Sequence, residues 1–141
     1  MVCGRNMCQP VNIEGYMGDL LAAFTVWGEP KPKERPRFGR GRTYTPKKTE
    51  DAENAVIAAF KTECPQFTAS IENLRLEIDF HRKGQRAVDL DNLVKLVQDA
   101  LNGLLYVDDS QVAELAAARH HGAGDKARTD VRIYLLAEAR T

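Results

Sequence analysis

Hydrophobic positions along this chain repeat with two periods. In residues 73–80, NLRLEIDF, they alternate, with Leu74, Leu76, Ile78 and Phe80 on one side and Arg75, Glu77 and Asp79 on the other. A period of two marks a half-buried strand, antiparallel to a neighbour. Residues 20–27, LLAAFTVW, put Ala22, Phe24 and Val26 on one face and read as a first strand, stopped by Gly28 and Pro30. The period turns helical twice. Thr45-Pro46 offers a hydroxyl N-cap and a proline at the first helical position. Ala52, Ala55, Val56, Ala59 and Phe60 then follow at helical spacing until Pro65. Over roughly 89–102, Leu90, Leu93, Val94, Val97, Ala100 and Leu101 form a second stripe, closed by Asn102-Gly103. Residues 111–119, QVAELAAAR, have helical propensity, but their place between two turns predicts a strand in a meander. DVRIYLLA, residues 130–137, reads as the last strand.

The element order is therefore β-α-β-α-β-β. It predicts an α+β fold, a compact α/β sandwich with two main helices on one face of a mixed β-sheet. Residues 28–44, rich in Pro, Gly and Arg, read as a loop held partly extended by its prolines. Residues 1–18 show no periodicity and are expected to form a disordered tail ahead of a single domain over 19–141. The length of 141 residues supports one core without disulfide staples. The three cysteines, Cys3, Cys8 and Cys64, are an odd set without paired spacing and are expected to be reduced thiols. No apolar run approaches the roughly 20 residues of a membrane span, and the N-terminus lacks the continuous apolar region of a secretory signal. The expectation is a cytoplasmic protein with no membrane partner.

Charge changes the picture through its distribution. Lys plus Arg and Asp plus Glu each total 20. Between Lys31 and Lys48, however, the basic residues are Lys31, Lys33, Arg35, Arg37, Arg40, Arg42, Lys47 and Lys48, against one acid, Glu34. Such a local excess is the electrostatic footprint of a polyanion binder.

The acids gather around the second helix. At about 100° per residue, Asp91, Lys95 and Asp99 share a face opposite the apolar stripe. Asp89 lies about 200° from Asp91 on an ideal helix, so the two converge only if Asp89 sits in the preceding turn or at the N-cap. Asp108 and Asp109 follow the helix. They reach the first pair only if the chain after Gly103 folds back along it. Carboxylates brought together repel unless a cation lies between them. An all-oxygen ligand set suits Mg²⁺ or Mn²⁺. With a basic segment nearby, the pattern points to phosphodiester hydrolysis, with Lys95 placed to stabilise developing charge or orient water. Read separately, these acids also suit helix capping, a surface ion pair with Lys95 and a plain turn. His81 reads as a solvated loop residue, and His120-His121 as a poor metal pair.

DLDNLVKLVQDALNGLLYVDDSQV resembles the signature of the RusA family of Holliday junction resolvases, a D-L-D-N-L-x-K-x-x-x-D-A-L run followed by D-D-x-Q-V. GEPKPKERPRFGRGRTYTPKKTEDAE is similar to the basic upstream elements of phage and prophage members. The resemblance covers roughly residues 22–136. It implies metal-binding acids at Asp89, Asp91 and Asp109, a catalytic lysine at Lys95 and a weaker candidate ligand at Asp108. It leaves the roles of Asn92 and Asp99 open. It also implies a Mg²⁺-dependent homodimer acting on branched DNA. HRKGQRAV carries Ala87 and Val88 where family members often have an unbroken arginine run. Expected DNA contacts are Lys31, Lys33, Arg35, Arg37, Arg40, Arg42, Lys47, Lys83 and Arg86, with Phe38 and Tyr44 either stacking on exposed bases or packing under the loop. The leading expectation is a Holliday junction resolvase making paired symmetric nicks. The alternatives are a nuclease acting on forks or flaps, and a non-catalytic nucleic-acid-binding module.

Overall fold

The computed structural model describes residues 19–35 and 37–136, with the side chains of Arg37 and Asp109 outside that description. The tail expected over 1–18 also lies outside it. The described chain forms β1 (Asp19–Trp27), β2 (Arg37–Gly39), β3 (Arg42–Tyr44), α1 (Lys47–Glu63), β4 (Leu74–His81), α2 (Leu90–Leu101), β5 (Val112–His120) and β6 (Arg128–Leu135). The expected α+β order holds, with one addition. Residues 37–44 are an antiparallel hairpin, not a loop, pairing Arg37 with Tyr44 and Gly39 with Arg42. Its tip, Arg40-Gly41, has φ of 52° and 79°. Two successive positive φ values are what a tight hairpin turn requires, and Gly41 adopts its value without a Cβ clash.

The main sheet has the order β1-β6-β4-β5. β6 runs antiparallel to both β1 and β4. β5 runs parallel to β4, from Leu74↔Val112 to His81↔His120. The expected meander is thus corrected. A parallel neighbour needs a crossover, which residues 82–111 supply with α2 at their centre. The N-cap of α1 is Pro46 rather than Thr45, with no side-chain cap, and the carbonyl of Pro46 accepts from the amides of Thr49 and Glu50.

One face of the sheet packs on the helices. Phe24, Leu74, Leu76, Ile78, Phe80, Val131 and Ile133 bury against Val56 and Phe60 of α1 and Leu93, Val97 and Leu101 of α2. The stripe on α2 is wider than its sequence pattern showed, because Leu96 is buried as well. Removing such a side chain, as in Leu101→Ala, costs about 2–5 kcal/mol in well-packed cores. Gly103, at φ 87°, ends α2, and its amide donates to the carbonyl of Tyr106. Cys64 is buried at the end of α1 and is disulfide-bonded, its partner lying outside the described residues; the reduced-thiol expectation fails there.

The other face is covered by ion pairs. Glu77, only 3% exposed, sits between Arg75 Nε at 3.0 Å and Arg132 Nε at 3.1 Å. Arg132 also reaches Asp79 at 2.9 Å, Arg75 reaches Glu114 at 3.1 Å, and Arg128 reaches Asp130 at 3.1 Å. His120 contacts Asp79 at 2.9 Å and stacks on His81, ring centroids 4.6 Å apart. A carboxylate as buried as Glu77 is tolerable only with such partners. His81, expected to be a solvated loop residue, is instead the last residue of β4 and stacks on His120 within this layer.

Asp79 carries a testable consequence. Burial opposes its charge, but the hydrogen bonds and charges of His120 and Arg132 outweigh burial and hold its carboxyl below the ordinary value of 3.8. A depressed carboxyl contributes stability that is complete above its unfolded pKa and is lost as pH falls through the folded one. Asp79→Asn should therefore lower stability by about 1 kcal/mol at neutral pH, given its partial exposure. The gap between variant and parent in urea unfolding midpoints should close in acid. A gap that stays constant down to acid pH would show that Asp79 is not linked to folding in this way.

Candidate active site

The second helix begins where the angular argument required. Asp89 is the N-cap, with extended φ −61° and ψ 121°, and its carbonyl accepts from the amide of Leu93. It therefore stands outside the helix proper, one residue from the first turn that carries Asp91. Both carboxylates are exposed. The Asn92 side-chain amide lies 3.4 Å from Asp89 Oδ2, giving Asn92 a role as a neighbour of the first acid. Lys95 is exposed one turn beyond Asp91. Among the described residues, Asp89, Asp91 and Lys95 make no ion pair.

The approach to Asp89 is clamped. Arg119, at the end of β5, donates from Nη1 to the carbonyl of Val88. The loop after β5 holds the preceding turn, with Gly122 N bonded to Gly84 O at 3.1 Å and Ala123 N to Arg82 O at 2.9 Å. Arg82 is buried and bonds the carbonyl of Pro30 at 2.7 Å and the carboxylate of Glu29 at 3.0 Å. The start of the basic segment is thereby tied to the turn that leads to Asp89.

A second tie comes from Lys33. Its amide donates to the carbonyl of Asn92 at 2.9 Å, and its Nζ lies 2.7 Å from Glu53 and 3.1 Å from Asp99. Burial opposes the charge of Lys33, but these two carboxylates outweigh it and raise its pKa. Lys33 is thus an internal fastener between α1, α2 and the basic segment. Asp99, whose role the sequence left open, is its partner. Of the other expected DNA contacts, Lys31, Arg35, Arg40, Arg42, Lys83 and Arg86 are exposed. Lys47 is exposed and pairs with Asp51 at 3.3 Å, an i,i+4 contact of little energetic weight. Arg37 lies on β2, its side chain outside the described residues. Phe38 is 73% exposed and Tyr44 50% exposed, so Phe38 does not pack under the segment.

The third expected acid sits elsewhere. Asp109 opens a 3-10 turn, Asp109–Gln111, directly before β5. β5 begins beside Leu74, the start of β4, whereas α2 begins beyond the other ends of these strands, where Arg119 grips Val88. Asp89 and Asp91 are therefore at one end of α2 and Asp109 at the other. Its 12 residues span about 18 Å. The fold-back after Gly103 that would unite them in one chain does not occur. The amides of Leu104 and Leu105 bond to the carbonyl of Leu101, and Tyr106 OH donates to Gln98 O at 2.9 Å, so the segment curls at the helix end. Among the described residues, no group of three or more His, Cys, Asp or Glu side chains is close enough to hold a metal.

Gln111 shows why the D-D-x-Q-V stretch has its pattern, which the sequence reading missed. Its Oε1 accepts from the amides of Val107 and Asp108, both at 2.9 Å, and its Nε2 donates to the carbonyls of Ser70 and Glu72 at 2.7 and 2.9 Å. One side chain thus locks the acidic turn to the approach of β4. Asp108 accepts from the Ser110 amide at 3.0 Å, and its hydrogen bonds with the Ser110 side chain and backbone hold its carboxyl below the ordinary range. That is the geometry of a turn former.

As to a metal, the exposed Asp89 and Asp91 offer hard oxygen atoms, with no thiolate or imidazole beside them in the N-cap turn, and so fit a magnesium-like cation. No helix among the described residues is long and apolar enough to cross a membrane.

Two comparisons with known proteins bear on these features. The chain is 29% identical over 134 residues to the "Uncharacterized protein YqaN" of Bacillus subtilis (strain 168), a match covering 78% of this chain and 93% of that protein. A family model described as "Endodeoxyribonuclease RusA" matches residues 28–134, which include the basic segment, the Asp89–Lys95 turn of helix and the Asp108-Asp109 turn. The chain therefore belongs to the RusA family of endodeoxyribonucleases, hydrolases that act on DNA.

Proposed function

We propose that this protein is a Mg²⁺-dependent, structure-selective endonuclease that resolves four-way DNA junctions by paired symmetric nicks, acting as a homodimer. The observation that carries the reading is the double tie of the basic segment to the acidic helix. Lys33 fastens it to Asn92 and Asp99, and Arg82 fastens its start to the turn before Asp89. Cationic side chains that attract phosphates are thereby held on the same framework as the carboxylates.

Asp89 and Asp91 would hold the cation, with Asp109 the third acid of the family pattern. When bound, Mg²⁺ or Mn²⁺ supplies Lewis-acid polarisation of the phosphoryl oxygen and a water of lowered pKa. The N-cap position of Asp89 and the first-turn position of Asp91 direct both carboxylates out of the positive end of α2, where a phosphate is also favoured. Lys95, one turn on and without an ion pair among the described residues, supplies a positive charge for the developing oxyanion. Arg40 and Arg42, around the hairpin tip, meet backbone phosphates. The exposed Phe38 ring between them and Arg35 is a stacking platform for a base that has lost its partner. That ring favours a branched substrate over a continuous duplex.

The test uses a synthetic four-way junction, a fork and a linear duplex, each with and without Mg²⁺. Symmetric nicks confined to the junction and dependent on metal are expected. Asp91→Asn should abolish cleavage and retain junction binding. Binding without cleavage of any substrate by the parent protein would sink the nuclease reading, and a preference for forks would replace the junction as substrate. Lys95→Ala should leave junction affinity unchanged and slow single-turnover cleavage by about 100-fold, the usual loss for one stabilising donor. Loss of binding instead would reassign Lys95 to DNA contact. Arg40→Ala and Arg42→Ala should each weaken binding across all sequences and flatten the logarithmic salt dependence by about one unit per lost phosphate contact. An unchanged salt slope would remove the hairpin tip from the interface.

A further inference from the structure

Where the basic segment leaves β1, the core of the protein stays open. A cavity of about 390 Å³ lies between the end of β1 and the two helices. Its inner surface is apolar, from Val26 and Phe80 on the sheet, Val56 on α1 and Leu96 and Val97 on α2. Ala52 lines it from α1, where a longer side chain would close it. A void of this size beside a packed core is costly, and its volume is that of a small-molecule site. One polar group faces this interior. Thr129 pairs across the sheet with Val26 and Phe80 and shares their face toward the helices. It is only 5% exposed, it lines the cavity, and among the described residues its hydroxyl has no hydrogen-bond partner. A buried hydroxyl in that position is matched by a polar atom of a ligand.

The mouth is cationic. Lys31 and Lys48 are exposed there and make no ion pair among the described residues, whereas the two acids beside them are engaged, Asp51 with Lys47 at 3.3 Å and Glu29 with Arg82 at 3.0 Å. An apolar interior with one hydroxyl, which both donates and accepts, beneath two exposed cations fits a heterocyclic base on an anionic backbone. We propose that the cavity takes one unpaired nucleobase of the DNA substrate, with Thr129 hydrogen-bonded to the edge of the base and Lys31 and Lys48 on its flanking phosphates. The inference rests on the branched-DNA reading, since a base in a continuous duplex must first be unpaired and unstacked. Position supports it. Trp27 and His81 both pair with Arg128, so β1 and β4 end together, and the turn after β4 leads to Asp89. Lys31 stands two residues before Lys33, whose amide donates to the carbonyl of Asn92. A base seated in the cavity is therefore held at the end of the sheet that carries Asp89 and Asp91, and it anchors the strand that runs toward them.

The test uses four-way junctions carrying 2-aminopurine at single positions around the branch point, bound without metal so that no strand is cut. This base analogue is dark when stacked and bright when unstacked. One position should brighten on binding, and an abasic residue at that position should weaken binding about tenfold. Ala52→Leu fills the cavity. It should fold, by circular dichroism, and should remove the bright signal and lower junction affinity about tenfold. Thr129→Val keeps the side-chain shape without the hydroxyl, and should lower affinity several-fold. Neither substitution should weaken binding further on the abasic junction, because two changes to one contact do not add. Full additivity on the abasic junction would overturn the proposal, as would a bound junction that stays dark at every position. A signal that survives Ala52→Leu and is lost in Phe38→Ala would assign the unstacked base to the Phe38 ring instead. Unchanged DNA binding by Ala52→Leu, with altered sedimentation of the free protein, would give the cavity to a second copy of the chain. Failure of the parent protein to bind any branched DNA would overturn the branched-DNA reading and this inference with it.

Discussion

The parallel pairing of β4 with β5 is the constraint on which the rest of this structure depends. Two parallel neighbours cannot be joined by a tight turn, so the chain must travel back across the sheet before the second strand starts. Here α2 makes that return, and its wide apolar stripe is what lets it lie on the sheet while doing so. The return fixes polarity. The N-terminus of α2 lies beyond the C-terminal ends of the strands, the position where open α/β sheets place their ligand sites. Its C-terminus lies by the other ends, and with it the turn carrying Asp109. The acids on either side of one helix are thus kept apart by topology, and no local adjustment of rotamers or loop could close about 18 Å.

Two sets of polar contacts make that framework rigid where the chemistry needs it. Lys33 and Arg82 spend their charges internally, on Glu53, Asp99 and Glu29 and on the carbonyl of Pro30. Both are partly or largely withdrawn from solvent, so their pairs are screened less than a surface pair would be. Cations that face outward include Arg40 and Arg42 at the hairpin tip and Lys83 and Arg86 in the turn before Asp89. Division of labour among basic residues follows from where each can find a carboxylate. On the opposite face of the sheet, arginines 75, 128 and 132 interleave with carboxylates and complete a layer that needs no covering helix.

Much of this was legible in the sequence, for physical reasons that also mark where legibility ended. The alternation in 74–80 and the stripe on α2 could be read because each element buries one face. The N-cap position of Asp89 could be read because a helix fixes the angle between neighbours. The direction of β5 could not, since alternation in a strand does not encode the direction of its partner. The hairpin 37–44 was hidden because its strands are three residues long and bury little. Lys33 looked like its basic neighbours because sequence distance does not reveal the carboxylates of α1 and α2. Gln111 was visible as a motif position, but its four hydrogen bonds join segments separated by about forty residues. Cys64 was misjudged because an odd cysteine count does not prevent one pair from forming.

The outer position of β5 and the separation of the acids have one cause. Running parallel to β4, β5 can be reached only by a crossover, and the crossover helix α2 sets Asp89 and Asp91 about one helix length from the turn that opens β5. The direction of a single strand therefore decides which acids of the motif lie together within the chain and which do not.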